Sequence, residues 1–333
     1  MNASAVDVIG IGNAIVDVIA RADDAFLARE GLAKGTMALV DATRAEALYE
    51  IMGPASESSG GSAGNTMAGI ASLGGAGAYI GKVRDDLLGR VFRHDITAIG
   101  VRYETAAATE GPPTARCLIL VTPDGQRTMS TYLGASVDLG PEDIDADLVA
   151  AAQVTYLEGY LYDPPRAKAA FRQAAAIAHG AGRKVALSLS DPFCVERHRP
   201  EFRDLVQGHI DILFANEAEI CSLYETSDFA AAAAAVRGHV EIAALTRSAA
   251  GSIILRGAEE EHRIAAAPVA QVIDTTGAGD LYASGFLFGL THGLPLPTCG
   301  ALGSLCAAEI ISHFGARPEA ELRQLAADAG LGP

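Results

Sequence analysis

The sequence predicts an α/β protein with a doubly wound parallel sheet, helices on both faces and a small, mainly β lid. From about residue 150, short apolar runs typical of buried strands alternate with alanine-rich helical segments, which is the pattern of a parallel sheet. Residues 102–135 instead carry two strand-like runs around a turn, and this small β unit interrupts the alternation. A chain of 333 residues is long enough for one large domain with an appendage.

The first fifty residues predict a strand followed by two helices. Val6–Gly12 has the pattern of a short buried strand, which Ala14–Ile19 continues. Residues 21–30 then turn polar with helical spacing. Asp41 is a candidate N-cap for a helix that runs to Ile51.

A loop, a helix and a strand are expected next. Pro54–Gly64 is rich in serine and glycine, so we expect a loop there. Small apolar residues at helical spacing predict a helix over Asn65–Leu73, which a glycine pair ends. Ala78–Gly81 is the following strand candidate.

A hairpin and a regular strand–helix alternation make up most of the remaining chain. The hairpin pairs Ala115–Val121 with Arg127–Tyr132 around the turn Thr122–Gly125. Beyond it, alanine-rich helices such as Arg166–His179 separate the strand candidates. These candidates are Val154–Leu157, Lys184–Leu189, Ile210–Phe214, Ile242–Thr246 and Ser252–Leu255.

The charge balance limits the partners that this chain can have. Lysine and arginine number 25 against 41 acidic residues, a net charge of −16, which argues against nucleic acid or an anionic membrane as partner. The five cysteines are scattered without a CxxC spacing, so neither a zinc site nor a redox pair is expected. Met1–Asp7 lacks the pattern of a signal peptide. We therefore expect a cytoplasmic monomer or homodimer that binds small molecules.

The most specific segment is Asp274–Asp280, which follows a β-rich stretch ending at Ile273 and precedes a helical run over Leu281–Leu290. The small residues of Gly277–Gly279 leave backbone N–H groups free just ahead of a helix, so the turn can hold an anion such as phosphate. Asp280 beside it could take a proton from a hydroxyl that attacks the phosphate. The alternative is an ordinary glycine turn with Asp280 as an acid at a helix start.

Three further segments could bind ligands. The glycines of Gly60–Asn65 would let a polyhydroxyl compound approach the backbone, unless the segment is merely a flexible loop. Asn13 and Asp17 lie at the end of the first strand, where Asp17 could accept hydrogen bonds from vicinal hydroxyls or be a surface acid. Asn216–Glu219 follows another strand, and a strand-to-helix turn of this kind can reach a hydrated Mg²⁺.

Two familiar nucleotide signatures are not matched. Gly75–Lys82 lacks the glycine spacing of a P-loop, and Gly10–Gly12 lacks the third glycine of a dinucleotide fingerprint. An NAD-dependent oxidoreductase is therefore only a minor alternative.

Together these segments resemble the ribokinase (PfkB) family of sugar and nucleoside kinases, from about Gly10 to about Pro318. Gly60–Gly89 resembles the family's first signature region, and Asp274–Asp280 resembles the second. The resemblance implies a ribokinase-like fold and ATP-dependent phosphate transfer to a hydroxyl. A non-catalytic nucleoside sensor that kept the fold is a further alternative.

The resemblance also implies roles for individual residues. Asp280 matches the catalytic base, and the other catalytic positions are Gly277, Ala278, Gly279 and Arg127. The positions implied in substrate binding are Asn13, Asp17, Gly60, Gly61, Ser62, Asn65, Leu133 and Phe193. Those implied in ATP binding are Asn216, Thr246, Gly251, Thr276, Gly277 and Gly279. Glu219 would hold Mg²⁺ through water, and Asp274 with Thr276 would hold a monovalent cation such as K⁺.

Within the family, the chain is most similar to the adenosine kinase branch. The long stretch between Asp17 and Gly60 carries two helical patterns, and Leu187–Phe193 resembles that branch's Ser-x-Pro-Phe turn, whose aromatic residue stacks on a base. Arg127 falls on a lid hairpin whose arginine reaches the transferring phosphate. The implied reaction is phosphorylation of a nucleoside 5′-hydroxyl, with adenosine giving AMP. A kinase for ribose, fructose or 2-keto-3-deoxygluconate is the alternative.

Two features complete the expectations. Ser248 stands where the family often has the first glycine of its Thr-x-Gly-x-x-Gly motif.

The resemblance also divides the chain into domains. We assign the segments 1–13, 61–101 and 136–333 to a large domain. The segments 14–60 and 102–135 are assigned to a small lid domain.

Overall fold

The computed structural model describes residues 6–332. Within that range the strands, in chain order, are β1 (Val8–Ile11), β2 (Ile15–Arg21), β3 (Met37–Leu39), β4 (Ala55–Gly60), β5 (Gly77–Ile80), β6 (Arg102–Tyr103), β7 (Ala115–Val121), β8 (Arg127–Tyr132), β9 (Val154–Glu158), β10 (Lys184–Ser188), β11 (Ile212–Asn216), β12 (Ile242–Thr246), β13 (Ser252–Arg256) and β14 (Glu260–Ile264). The helices of the same range are α1 (Asp24–Arg29), α2 (Ala42–Ile51), α3 (Ser62–Ser72), α4 (Leu87–Ala98), α5 (Ala146–Ala151), α6 (Pro165–Gly180), α7 (Pro192–Arg197), α8 (Arg199–His209), α9 (Glu217–Tyr224), α10 (Phe229–Val236), α11 (Ala278–Thr291), α12 (Leu296–Ile310) and α13 (Leu322–Asp328).

The larger sheet has the strand order β14-β13-β12-β11-β10-β9-β1-β5-β6. It is parallel from β6 to β12, and β13 and β14 add an antiparallel edge. Strand β1 lies between β9 and β5, with Ile11 beside Leu157 and Ile80. Because β1 is covered on both faces, its sequence is an unbroken apolar run rather than an alternation.

Apolar cores lie on both faces of this sheet, as neighbouring residues of one strand point to opposite sides. Val8 and Phe214 pack with Phe286 of α11 on one face. Ile9 and Leu213 lie in the core that includes Phe171 and Phe202 on the other. The structure thus confirms the predicted doubly wound sheet with helices on both faces.

The smaller sheet has the order β3-β8-β7-β2-β4 and forms the predicted lid. Strands β7 and β8 make the expected antiparallel hairpin, in which Val121 pairs with Arg127. Helices α1 and α2 lie in the chain between β2 and β4, as predicted, and Asp41 caps α2 by accepting a hydrogen bond from the amide of Arg44.

Two expectations for the segments near the lid are wrong. Ala14–Ile19 does not continue β1, because the chain leaves the large sheet after Ile11 and β2 pairs with β4 and β7 in the lid. Pro54–Gly64 is not a loop, because β4 occupies Ala55–Gly60 and α3 already starts at Ser62. The serines of β4 lie on an edge strand that is largely exposed, so its sequence has no apolar pattern.

Two further corrections concern boundaries. Strand β14 ends at Ile264, so no strand leads directly into Asp274. Strand β6 pairs with β5 in the larger sheet, although its residues fell on the lid side of the boundary predicted at residue 102. The division into domains otherwise stays a prediction. Residues 1–5 and 333, which were assigned to the large domain, lie outside the described range.

Between residues 6 and 332, no helix combines the length and the apolar character needed to cross a membrane.

Candidate active site

The candidate site forms where the first turns of α3 and α11 meet at the carboxyl ends of the central strands. Asp280 lies in the first turn of α11, and both of its carboxylate oxygens accept hydrogen bonds from α3. The Ser62 hydroxyl donates to Oδ1 over 2.6 Å, and the Asn65 amide donates to Oδ2 over 3.0 Å. The fold therefore joins two glycine-rich segments that lie more than 200 residues apart in sequence.

Opposing effects act on the Asp280 carboxyl. Burial raises its pKa, whereas the hydrogen bonds from Ser62 and Asn65 and the nearby Arg317 guanidinium lower it. The Oδ1 atom of Asn65 is buried and has no hydrogen-bond partner among residues 6–332. That oxygen remains available to accept a hydrogen bond from a ligand hydroxyl next to Asp280.

The turn before α11 exposes backbone donors. Gly277 is the N-cap residue and has φ +78°, a left-handed conformation that favours glycine. The first hydrogen bond of the helix runs from the Leu281 amide to the Gly277 carbonyl over 2.8 Å. The amides of Gly279 and Asp280 precede that bond and have no intrahelical acceptor. Together with the positive end of the helix dipole they are suited to an anion.

Asp17 lies in β2 of the lid and packs directly against Gly60 of the neighbouring strand. A Cβ atom at Gly60 would approach the Asp17 carboxylate to 2.4 Å, so a larger residue there would displace this carboxylate. Burial raises the pKa of Asp17 to about 6, against the influence of Arg317 and Arg127. Among the described residues, none forms a hydrogen bond that stabilises this carboxylate. Its oxygens are therefore free for ligand hydroxyls.

The sequence did not reveal a role for Arg317, which connects the first turn of α3 to the lid strand β4. Its guanidinium donates to the Ser59 carbonyl over 2.6 and 3.0 Å and to the Gly64 carbonyl over 2.7 Å. Asp95 accepts hydrogen bonds from the Ser59 amide and hydroxyl. Burial lowers the pKa of Arg317, and the carboxylates of Asp17 and Asp95 raise it. No sequence signal marks this arginine, because its partners are backbone carbonyls far away in the chain.

Arg127 of the lid hairpin forms an ion pair with Asp274, and the Nη1–Oδ2 distance is 2.8 Å. Asp274 is fully engaged, because Oδ1 accepts from the amide and hydroxyl of Thr276 and Oδ2 also accepts from the Gly315 amide. A monovalent cation at Asp274 and Thr276 does not fit this arrangement. The guanidinium already supplies the positive charge, and the carboxylate has no free oxygen.

Asn13, which was predicted to bind substrate, is buried inside the protein. Its side chain is 1% exposed, donates to Glu158 over 2.7 Å and accepts from the Ser136 hydroxyl over 2.9 Å. Because this side chain is buried, the structure does not present it to a ligand. Gly61 has φ +87° and a Cβ there would lie 2.1 Å from the Asn13 carbonyl, so this glycine is required by the backbone.

Asn216 and Glu219 form a reciprocal cap at the start of α9. Both oxygens of Glu219 accept hydrogen bonds from Asn216, at 2.6 and 2.9 Å, and the Glu219 amide donates to the Asn216 side chain. Burial raises the pKa of Glu219 to about 7. Direct ligation of Mg²⁺ by this carboxylate would compete with the cap, and the predicted contact through water would not. Over residues 6–332, no group of three or more metal-ligating side chains forms a cluster.

Two of the positions implied in nucleotide binding, Thr246 and Gly251, flank the turn that follows β12. Thr246 ends that strand, and Gly251 has φ +82° with no space for a Cβ beside the Ile264 carbonyl. Ser248 adopts φ +48°, the left-handed region that the family's glycine would occupy without strain. The serine therefore holds a conformation that costs it more than it would cost a glycine.

Phe193 is 67% exposed in the first turn of α7, so it is not a core residue. This turn follows the carboxyl end of β10, which lies between β9 and β11 in the parallel part of the sheet, so it lies at the same edge of the sheet as the candidate base. The Arg197 guanidinium lies 5.4 Å from the centre of the Phe193 ring. Leu133, by contrast, is half-buried against a small lid cluster that includes Ile15.

Comparison with known proteins identifies the family. The model of the pfkB family carbohydrate kinases matches residues 42–322. The chain belongs to the PfkB family. This PfkB chain is 55% identical to the adenosine kinase from Sinorhizobium meliloti, with 98% of this chain and 100% of that one covered and a TM-score of 0.90. It is 53% identical to a "probable sugar kinase protein" from Rhizobium etli CFN 42, with 99% and 100% covered and a TM-score of 0.92.

A more distant relative covers nearly the whole chain as well. Adenosine kinase 1 of Arabidopsis thaliana is 26% identical over 332 residues, which are 92% of this chain and 94% of the relative. The predicted resemblance is thus confirmed, and the chain is a nucleoside or sugar kinase of the PfkB family. Kinases of this family use ATP and Mg²⁺.

Proposed function

We propose that this kinase transfers the γ-phosphoryl group of ATP to the 5′-hydroxyl of a nucleoside, with adenosine as the preferred acceptor. The observation that carries the proposal is the position of Asp280, which is held at both oxygens beside an anion-binding turn. The 55% identical relative that is named an adenosine kinase supports the choice of acceptor. Because ATP is consumed inside cells, the cytoplasm remains the proposed location.

Asp280 is the proposed general base. Its burial raises the pKa, which makes the carboxylate a better proton acceptor than an exposed aspartate. Ser62 and Asn65 fix the orientation of both oxygens. As the 5′-oxygen forms its bond to the γ-phosphorus, its proton passes to Asp280. The bond from that phosphorus to the bridging oxygen breaks, and ADP leaves with the electron pair.

Charge on the transferring group is stabilised by backbone and side-chain donors. In the proposal, the amides of Gly277 and Gly279 face the phosphoryl oxygens, joined by the Ala278 amide once it leaves the Thr275 carbonyl, to which it donates over 3.3 Å. The Nε and Nη2 atoms of Arg127 are buried and have no partner among residues 6–332, so they are free to meet an anion. Arg127 thereby brings the lid over the reacting groups and helps to exclude water, which is a competing acceptor.

The acceptor is proposed to bind between the lid and α3. Asp17 and the unpartnered Oδ1 of Asn65 accept hydrogen bonds from ribose hydroxyls, and Gly60 and Gly61 let the sugar approach the backbone. The exposed ring of Phe193 provides a surface for the base, and Leu133 covers it from the lid. The nucleotide is proposed to bind near Asn216, Thr246 and Gly251.

Mg²⁺, when bound with ATP, neutralises phosphate charge. Because each oxygen of Glu219 already accepts one hydrogen bond from Asn216, we propose that Glu219 reaches the ion through water, while the ATP phosphates supply the direct contacts, as is usual for Mg²⁺ in kinases.

A sugar kinase is the second candidate, since the 53% identical relative is named for sugars. A free sugar would use the same Asp17 and Asp280 but would leave Phe193 without a partner. The acceptors of the two candidate reactions differ only in the nucleobase, which a free sugar lacks. A panel of acceptors that includes adenosine and free sugars therefore separates the two.

Product analysis tests the proposal. The purified chain is incubated with ATP, Mg²⁺ and adenosine, and the products are separated by chromatography. We expect equal amounts of ADP and AMP, with the new phosphate ester on the 5′-oxygen by ³¹P NMR. ADP formation that does not rise above the rate without adenosine would overturn the proposal. Formation of ribose 5-phosphate from ribose at a higher rate would favour the sugar kinase.

A further inference from the structure

Three of the connections between the two sheets meet at one buried carboxylate, that of Glu158 at the carboxyl end of β9. Asn13 lies in the connection from β1 to β2, and Ala63 follows the connection from β4 into α3. Ser136 lies in the 3₁₀ turn through which the chain returns from β8. Any movement of the lid relative to the large sheet has to bend the chain at these connections.

The contacts link all three connections. One oxygen of Glu158 accepts from the Asn13 side-chain amide over 2.7 Å and from the Asn13 backbone amide over 3.3 Å. The other oxygen accepts from the Ala63 amide over 2.8 Å. The Ser136 hydroxyl does not contact Glu158 itself. It donates to Asn13 Oδ1 over 2.9 Å and is thereby linked to Glu158 through Asn13. These contacts span 95 to 145 residues in sequence.

The surroundings are built for this carboxylate. Glu158 is 1% exposed, and a Cβ atom on Gly12 would come within 2.2 Å of its Oε2 atom. A buried carboxylate is costly unless donors surround it, and here three N–H groups do so. Helix α3 has Gly61 as its N-cap and no side-chain cap of its own, so Glu158 caps it from another strand.

The same turn of α3 also holds the candidate base. Ala63, which Glu158 anchors, lies between Ser62 and Asn65, and these two residues donate to the carboxylate of Asp280. We propose that Glu158 is a positioning residue that fixes the lid connections and the first turn of α3, and thereby orients Asp280. Glu158 acts without touching the substrate, since both of its oxygens face protein donors. The proposal rests on the proposed role of Asp280.

The first test is Glu158→Gln, which keeps the size of the side chain. An amide has only one acceptor oxygen, so its nitrogen must face either the Ala63 amide or the Asn13 side chain, both of which donate. We expect kcat to fall roughly 10- to 100-fold while KM for ATP changes less than about threefold, because orientation rather than binding is lost. Hydrogen exchange at the Asn13 and Ala63 amides should become faster.

The second test restores the interaction with exchanged partners. In the double variant Asn13→Asp/Glu158→Gln, the new amide can donate to the new carboxylate and still accept from the Ala63 amide. We expect the double variant to recover at least about tenfold in kcat over Glu158→Gln, an effect that general destabilisation would not produce. Unchanged kcat in Glu158→Gln, or a double variant no better than the single one, would overturn the proposal.

Two measurements keep the result interpretable. If Glu158→Gln does not fold, Ser136→Ala removes the third link, a hydroxyl that Asn13 Oδ1 shares with the Leu133 carbonyl. A loss of roughly threefold or more in kcat supports the proposal, and wild-type kcat overturns it. The proposed function is judged separately with Asp280→Asn. If that variant keeps wild-type kcat, Asp280 is not the base, whereas faster exchange at Asn13 and Ala63 in Glu158→Gln would still establish the link to the lid connections.

Discussion

Arg127 of the lid and Asp274 of the large domain form an ion pair of 2.8 Å whose side chains are only 6% and 9% exposed. The pair joins the tip of the β7–β8 hairpin to the turn that leads into α11. Phe314 lies under the guanidinium, 5.6 Å from its central carbon. The lid hairpin is therefore held next to the turn before α11, where we propose that the transferring phosphate binds.

Replacing this arginine should affect the chemical step more than binding. In Arg127→Ala we expect kcat to fall roughly 10²-fold or more, with a smaller rise in KM for the nucleoside, because the contact strengthens as charge develops on the phosphoryl group. The variant should also unfold more easily, by about 3–5 kcal/mol, since Asp274 is left buried without its partner. Steady-state kinetics and chemical denaturation measure the two effects.

The matched control is Arg166→Ala, because Arg166 pairs with Glu142 on the surface and such pairs contribute little. We expect it to keep wild-type kinetics. If Arg127→Ala changes only KM, Arg127 assists binding alone; if it changes nothing, the arginine has no part in the reaction. Arg127→Lys should recover part of the stability but not the forked geometry.

Asp280→Asn should keep the fold and ATP binding but lose turnover. Loss of a general base costs roughly 10²–10⁴-fold in rate, and the asparagine can still accept one of the two hydrogen bonds from α3. Asp228→Asn, at the N-cap of α10, changes the charge in the same way outside the site and should be unaffected. A variant with near wild-type kcat and intact ATP binding by calorimetry would remove Asp280 from the mechanism.

Asp17→Asn should make the protein more stable and less active. Burial raises the folded-state pKa of Asp17 to about 6 from an ordinary value of 3.8. The protonated carboxyl thus adds to the free energy of unfolding at low pH, and this contribution is lost as the pH rises through about 6. Removing the charge should therefore stabilise the fold by about 1–3 kcal/mol at pH 8 and by little at pH 4.

Thermal unfolding of both proteins at pH 4 and pH 8 measures this difference, and KM for adenosine should rise at the same time. Asp23→Asn, at the exposed N-cap of α1, is the control for loss of a carboxylate outside the site and should leave KM for adenosine unchanged. An equal shift in Tm at the two pH values would mean that Asp17 does not titrate in the folded state as described.

Phe193→Ala should weaken adenosine far more than a free sugar. Stacking of a base on an aromatic ring is worth about 1–3 kcal/mol, which is roughly tenfold to over a hundredfold in affinity. Because the ring is 67% exposed, the change should leave Tm nearly unaltered. Leu87→Ala removes an equally exposed apolar side chain away from the cleft and should change neither quantity. Equal losses for adenosine and ribose would argue against a base-stacking role.

Local patterns in the sequence predicted much of this architecture. The hairpin of Ala115–Val121 and Arg127–Tyr132 was assigned with its observed limits, because alternating residues and a Pro-Asp-Gly turn are local signals. The glycine-rich segments around Asn65 and Asp280 were also expected near the ligand, and the structure brings their side chains within 3.0 Å.

The features that the sequence did not predict depend on tertiary contacts, which leave no local sequence pattern. Strand β4 is a serine-rich edge strand, so it has no apolar periodicity to reveal it. Arg317 and Glu158 act on backbone groups of α3, 253 and 95 residues away in sequence, and an isolated arginine or glutamate is ordinarily a surface residue. Only the folded chain shows that both hold the first turn of α3.

The preference for a nucleoside is the central claim, and kcat/KM for adenosine against ribose, both with saturating ATP and Mg²⁺, tests it most directly. Both acceptors present hydroxyls to Asp17 and Asp280, but only adenosine has a base for Phe193. We predict that kcat/KM for adenosine exceeds that for ribose by at least the roughly tenfold that base stacking provides. A higher kcat/KM for ribose would contradict the account and make the chain a sugar kinase.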